Sequence, residues 1–189
     1  MLEVGSKELG LDMKLTIELP AREDQIAFNR KRWAEVLADR AALQWPGRVE
    51  TNAFGNLIMM PPASGSHSFR TRQMLKELED ILGGIALPEC PISTMDGVRA
   101  ADAGWYSEER FAQVQGQIAF EIAPEICVEI LSPRNTKAEM TLTKQLYFEA
   151  GAEEVWFCAE DGRMTFFVAA AADQALEQSP KCAGFPKQI

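Results

Sequence analysis

The segment PEICVEILSPRNTKAEM, residues 124–140, joins a buried strand to the start of a helix. Its first half is almost entirely apolar, yet Glu129 stands in the middle of the run. An unpaired charge in a core costs several kcal/mol, so a buried glutamate is normally paired, protonated or bound to a metal ion. Strand alternation puts Glu129 on the same face as Cys127 and Leu131. If that face meets a cleft, the carboxylate is available for chemistry.

The sequence on both sides of this segment alternates between helical and extended patterns. After it, Asn135 or Thr136 is the expected cap of a helix that ends at Gly151, and a hairpin follows at residues 154–169. Before it, we expect a strand at 15–19, a helix at 21–43 and a hairpin at 48–61. A second helix, capped by Ser66 or Ser68, should end at Gly83. The stretch 88–116, marked by prolines and glycines, should contain one extended piece at 98–106. This order predicts an α/β or α+β layered domain.

Composition narrows the class of protein. The 189 residues predict one domain spanning 1–189, with the first 20 residues and the C-terminal tail least defined. A net charge of −9 argues against simple electrostatic attachment to nucleic acid or an anionic membrane. No C-x-x-C pair is present, so no zinc site is expected, and Cys127 and Cys158 are predicted to be buried free thiols. Without a signal-peptide pattern or a long apolar run, a cytoplasmic protein is expected.

Two further residues extend the candidate site around Glu129. Asp102 lies in the extended piece at 98–106, and two neighbouring carboxylates would form a site for a hard cation such as Mg²⁺. Lys144, on the helix after Asn135, could stabilise negative charge or orient a water molecule. Each residue also has a structural interpretation: Glu129 in an ion pair at a sheet edge, Asp102 in a surface turn, and Lys144 on a solvated helix face.

The second half of the chain resembles the Uma2 family, also called DUF820, of restriction-endonuclease-like proteins. That family shows a strand ending in E-V/I-L-S-P, then a helix with K-x-x-x-Y, then G-V-x-E-Y-W and a hairpin. The matching residues are Pro124, Glu129, Ile130, Leu131, Ser132, Pro133, Lys144, Tyr147, Gly151, Glu154 and Trp156. The spacing from Lys144 to Tyr147 is one residue shorter than in the family pattern. Upstream, AADAGWYSEERF resembles the family's P-D-V-x-x-V-S-x-E-R-L segment and aligns Asp102.

The resemblance implies the PD-(D/E)XK nuclease fold, a restriction-endonuclease-like mixed central sheet flanked by helices. It implies that Asp102 and Glu129 bind Mg²⁺ or Mn²⁺, with the backbone carbonyl of Ile130 as a third ligand. Leu131 stands where the fold usually has a lysine, and the resemblance assigns that role to Lys144. We therefore expect the two carboxyl groups within roughly 6 Å of each other, with the ammonium of Lys144 beside them.

Two functions of different classes fit these residues. The first is a Mg²⁺-dependent endonuclease that hydrolyses DNA, with Asp102, Glu129 and Lys144 as catalytic residues and Glu50 as a further match to the family's N-terminal hairpin. The second is a catalytically silent interaction or DNA-associated module on the same fold, which the acidic net charge favours. A small-molecule enzyme has no support, because no Gly-rich phosphate loop or G-x-S-x-G is present. No membrane partner is expected, and a homo-oligomer is left open.

Overall fold

A computed structural model describes residues 20–189, except for the side chains of residues 40–43. Strands β1 (Val49–Thr51) and β2 (Leu57–Met59) form a small antiparallel hairpin. The main sheet contains, in spatial order, β3 (Ile85–Thr94), β4 (Gly97–Tyr106), β5 (Ile126–Ile130), β6 (Glu154–Cys158) and β7 (Met164–Val168). The strand expected at residues 15–19 lies outside the described residues.

Strand β5 is the central strand, as its apolar sequence predicted. It pairs antiparallel with β4 and parallel with β6, so the sheet is mixed. A parallel connection needs a crossover, and helix α4 (Lys137–Glu149) supplies it between β5 and β6. The turn at Asp161-Gly162 then reverses the chain into β7, which confirms the predicted second hairpin.

Three other helices surround the sheets: α1 (Arg22–Leu43), α2 (Gly65–Leu82) and α3 (Glu108–Val114). Helix α2 starts earlier than expected, because the side chain of Ser64, not of Ser66 or Ser68, accepts the hydrogen bond from the backbone N–H of His67 at 3.2 Å. Its end at Gly83 agrees with the prediction. No helix in the described part of the chain is long and apolar enough to cross a membrane.

The sheet has an apolar core on each face. Helix α2 packs on one face, where Met74 and Leu78 meet Val128 and Trp156. Helix α4 packs on the other, where Tyr147 joins a cluster that includes Cys127. Cys90, Cys127, Cys158 and Cys182 are buried free thiols, which confirms the prediction for the second and third. Alternate residues of β5 therefore pack into the two cores, and Glu129 lies near the C-terminal end of the strand.

Strand β3 was not predicted, because Pro88 and Pro91 interrupt its apolar pattern. Proline lacks the N–H that a central strand must donate to its neighbour, so its presence argued for a loop. In the structure β3 is an edge strand that pairs only with β4 among the main strands, and an edge strand tolerates proline. The expected single extended piece at 98–106 is thus one arm of a long hairpin.

Candidate functional site

A cleft of about 1340 Å³ opens between the β1–β2 hairpin, the start of α2 and the ends of β4 and β5. Its lining includes both predicted carboxylates, Asp102 and Glu129, together with Arg48, His67 and Ile130. These five residues come from four separate elements or their borders. The cleft is therefore where the hairpin and α2 meet the central strands of the sheet.

Strand register explains why the two carboxylates line the same cleft. The β4–β5 ladder pairs Trp105 with Ile126 and ends where Ala103 pairs with Val128. One further step in the same register places Asp102 opposite Glu129. The ladder does not continue, because a carboxylate oxygen of Asp102 accepts the backbone N–H of Ile130 at 2.7 Å. Asp102 thus occupies the gap where the two strands separate.

Asp102 is 4% exposed and has side-chain partners on both oxygens. Arg48 donates from Nη1 to Oδ1 at 2.6 Å, and His67 Nε2 lies 3.1 Å from Oδ2. Burial by itself would raise the pKa of Asp102, but the hydrogen bond from His67 and the charge of Arg48 outweigh it and hold the pKa below the ordinary range. Asp102 is therefore ionised at neutral pH.

Glu129 has the opposite electrostatic balance. Burial and the negative charge of Asp102 raise its pKa well above the ordinary range, and the positive charge of Arg48 does not compensate. The hydroxyl of Tyr147 donates to Oε1 at 2.6 Å and fixes the orientation of the side chain. This position therefore needs additional positive charge, or a proton, to be stable.

Glu50, the further match from the hairpin, forms an ion pair with Arg48. It is 4% exposed, and its Oε1 accepts the backbone N–H of Ala100 at 3.0 Å and lies 3.6 Å from Nε of Arg48. Its other oxygen pairs with Arg99 at 3.2 Å. Glu50 therefore anchors β1 to β4 and positions the arginine that contacts Asp102.

Lys144 does not lie over the carboxylate pair, so the position expected for it is wrong. Its ammonium donates to the backbone carbonyl of Ala172 and lies 4.1 Å from the centre of the Phe167 ring. It also forms an ion pair with Asp173, at 3.9 Å, on an exposed segment after β7. The lysine therefore packs against the β7 side of the sheet.

Helix geometry explains this displacement. Successive residues rotate by about 100° around a helix, and Tyr147 is the residue that points at Glu129. The residues three and four positions before Tyr147 lie on opposite sides of the line from the helix axis to Tyr147. A difference of one residue in the spacing therefore changes which side of the helix the lysine occupies. Lys144 stands three positions before Tyr147, whereas Thr143 stands at the family spacing of four.

Sequence reasoning missed three residues of the site: Arg48, His67 and Tyr147. A signal existed for two of them, because the chain contains one histidine, at the start of a predicted helix, and Tyr147 belongs to the matched helix pattern. Arg48 carried no comparable signal. Its contact with Asp102 joins residues 54 positions apart.

The donor set fits a hard divalent cation. Asp102 and Glu129 would supply carboxylate oxygens and Ile130 a backbone carbonyl, as the resemblance implies, and Mg²⁺ typically uses one or two carboxylates with water or phosphate completing its shell. Within the described residues no group of three or more His, Cys, Asp or Glu side chains is arranged to hold a metal ion, so such completion would be needed. A cation would also offset the raised pKa of Glu129, which burial and the negative charge of Asp102 cause.

Comparison with known proteins places the chain in a family. The family model Uma2, described as "Putative restriction endonuclease", matches residues 40–181. The chain belongs to the Uma2 family. The matched range contains Arg48, His67, Asp102, Glu129 and Tyr147, so the cleft lies within the family region.

A solved structure shows the same fold as this Uma2 chain. It is described as "a putative nuclease belonging to DUF820 from Anabaena variabilis ATCC 29413", and it is 19% identical in sequence. The superposition covers 75% of this chain and 88% of that chain with a TM-score of 0.58. A search of curated proteins finds no match. The nuclease-like mixed sheet flanked by helices, expected from the resemblance, is confirmed.

Proposed function

We propose that this Uma2 protein is a Mg²⁺- or Mn²⁺-dependent endonuclease that hydrolyses DNA phosphodiester bonds. One observation carries the proposal: Asp102 and Glu129 line the same cleft, where burial and the charge of Asp102 raise the pKa of Glu129. Burial and the charge of Asp102 raise the pKa of Glu129 and so disfavour its ionised form in the absence of a cation. A divalent cation bound by both residues would favour that ionised form.

The residues of the cleft have distinct roles in this proposal. Asp102, Glu129 and the carbonyl of Ile130 would hold the cation, which supplies Lewis-acid activation of the phosphate and of water when bound. Tyr147 orients Glu129, and His67 with the N–H of Ile130 orients Asp102. Because Lys144 is directed elsewhere, Arg48, which contacts Asp102, would stabilise charge on the phosphate.

Substrate contacts are supported by basic residues around the cleft. Arg72 and Arg134 line it, are exposed, and form no ion pair with any of the described residues. Arginine binds phosphate through two parallel hydrogen bonds, so free guanidinium groups at the rim suit a nucleic-acid backbone. The acidic net charge of the whole chain is thus compatible with a local phosphate-binding surface. DNA is the proposed substrate.

A catalytically silent module is the second candidate. The observation that favours it is the full set of protein partners on Asp102, whose two oxygens bind Arg48, His67 and the N–H of Ile130. In such a protein the cluster would connect the hairpin and α2 to the sheet without binding a cation. This alternative predicts no metal binding in the cleft.

Cleavage assays separate the two candidates. Supercoiled plasmid and short duplex DNA are incubated with purified protein and Mg²⁺, Mn²⁺ or EDTA. We expect metal-dependent cleavage that falls by at least about 100-fold in Asp102→Asn and Glu129→Gln, a loss of ~2.7 kcal/mol or more of transition-state stabilisation. Glu109→Gln, the same chemical change at an exposed position of α3, should retain activity. Absence of cleavage with either metal would favour the silent module.

We extend the proposal to organisation and compartment. A single domain spanning 1–189 is supported by the fact that elements from both halves of the described chain line the same cleft. A reducing, cytoplasmic environment is supported by four buried cysteines that remain free thiols.

A further inference from the structure

We infer that Arg48 is a built-in counter-ion that competes with a divalent cation for Asp102, so that a phosphate which binds Arg48 promotes metal binding. The inference rests on the proposed function and adds an order of events to it. Cation and nucleic acid would bind with positive coupling, because each ligand removes an obstacle to the other.

The contact between Arg48 and Asp102 occupies the place that a cation would need. Nη1 lies 2.6 Å from Oδ1, and the other oxygen, Oδ2, already accepts hydrogen bonds from His67 and the N–H of Ile130. Both charges are largely removed from water, with side-chain exposures of 20% and 4%. Bringing a second positive charge to Asp102 therefore requires Arg48 to leave or to share its acceptor.

The other contacts of Arg48, including its ion pair with Glu50, are weaker than its bond to Asp102. Its Nη2 contacts the sulfur of Met60 at 3.3 Å, and thioether sulfur is a weak acceptor. Its Nε is 3.6 Å from Glu50, beyond the length of a good hydrogen bond. The Asp102 contact is thus the main short bond of the guanidinium, which lines the open cleft.

A phosphate is the ligand that best matches the released side chain. The planar guanidinium can make two parallel hydrogen bonds to phosphate oxygens, and it stays charged in the cleft. Arg72 and Arg134 line the same cleft and would bind neighbouring phosphates of a nucleic acid. A single phosphodiester strand entering the cleft would therefore draw Arg48 from Asp102 and leave the carboxylate pair to the cation.

Isothermal calorimetry with Mn²⁺ tests the inference without relying on cleavage. Mn²⁺ is titrated into wild type, Arg48→Met and Arg48→Gln, each alone and with a phosphorothioate DNA oligonucleotide that resists hydrolysis. We expect both variants to bind Mn²⁺ at least about tenfold more tightly than wild type without DNA. The oligonucleotide should tighten Mn²⁺ binding by wild type and have little effect on the variants.

Two control variants locate the effect. Arg99→Met removes the other arginine that contacts Glu50 but does not touch Asp102, so it should keep the wild-type coupling. Glu129→Gln should abolish Mn²⁺ binding both in wild type and in the two Arg48 variants. The heat measured in their titrations is then assigned to this site. Thermal melting with and without Mn²⁺ checks that each variant folds, and Mn²⁺ should raise the melting temperature of Arg48→Met more than that of wild type.

The outcomes separate this inference from the proposed function. Mn²⁺ binding at Glu129 with equal or weaker affinity in both Arg48 variants would overturn the counter-ion role and leave the metal site standing. A complete lack of Mn²⁺ binding by wild type and both variants would overturn the proposed function and the inference together.

Discussion

At the scale of single residues, the two carboxylates of the cleft differ in their electrostatic surroundings. Asp102 has a low pKa because His67 and Arg48 overcome the effect of burial, whereas Glu129 has a high pKa because burial and Asp102 act in the same direction. Environments that separate the pKa values of neighbouring carboxyl groups are typical of functional sites. The pair can therefore bind one proton or one cation.

The raised pKa of Glu129 predicts a specific pH dependence of stability. A group whose pKa is higher in the folded protein stabilises it fully below its unfolded pKa, ordinarily 4.5, and this contribution is lost as pH rises through the folded value. Glu129→Gln mimics the protonated acid and removes the loss. The variant should therefore be more stable than wild type at pH 8 in EDTA.

Urea denaturation between pH 5 and 8 checks this prediction. The advantage of Glu129→Gln should shrink as pH falls, and the control Glu109→Gln should follow wild type throughout. Parallel curves for wild type and Glu129→Gln would show that Glu129 is not held at a raised pKa.

At the scale of secondary-structure elements, the start of α4 explains how the helix reaches Glu129. The hydroxyl of Thr136 accepts the N–H of Glu139 at 3.2 Å, and the Glu139 carboxylate accepts the N–H of Thr136 at 2.8 Å, which forms a capping box. The helix therefore begins at a defined residue, and this sets the rotation that turns Tyr147 towards β5.

Thr136→Ala should destabilise the protein by about 1 kcal/mol, because the N–H groups at the start of α4 lose their side-chain acceptor. Thr141→Ala makes the same change at an exposed position within α4 and should be neutral or slightly stabilising, since alanine favours helix. Chemical denaturation of the two variants gives the comparison. Equal effects would mean that the capping box does not contribute.

Strand β4 passes close to its neighbours at Gly104, two residues after Asp102. A Cβ atom there would lie 2.5 Å from Cγ of Pro124 and 2.7 Å from Sγ of Cys90. Gly104→Ala should therefore cost about 1–3 kcal/mol through overpacking. Gly65→Ala, at a position with no atom within 4 Å of the added Cβ, should change the free energy of unfolding little. Similar thermal melts for both variants would contradict this packing.

The elements that could be predicted are those with strong local signals. Turn residues at Asp161-Gly162 and the apolar run around Val128 identified the second hairpin and the central strand. Strand β3 escaped prediction because its prolines are acceptable only at a sheet edge, which local sequence does not reveal. The position of Lys144 was wrong because one residue of helix spacing changes the facing direction by about 100°.

At the scale of the whole molecule, the candidate site depends on tertiary structure. Asp102 and Glu129 could be proposed from sequence because each lies in a short extended run, and in the structure both line one cleft. Arg48 and His67 approach Asp102 only because the hairpin and α2 pack beside the ends of β4 and β5. Contacts of this kind follow from the packing of elements and leave no periodic signal in the sequence.

The location of Mn²⁺ in a crystal tests the central claim most directly. Crystals soaked with Mn²⁺ and the phosphorothioate oligonucleotide should give an anomalous difference peak in the cleft, within about 2.0–2.6 Å of oxygens from Asp102 and Glu129. The account predicts that Arg48 has then left Asp102 and contacts a phosphate. A cleft in which Asp102 keeps its contact with Arg48 and no Mn²⁺ peak touches either carboxylate would contradict it.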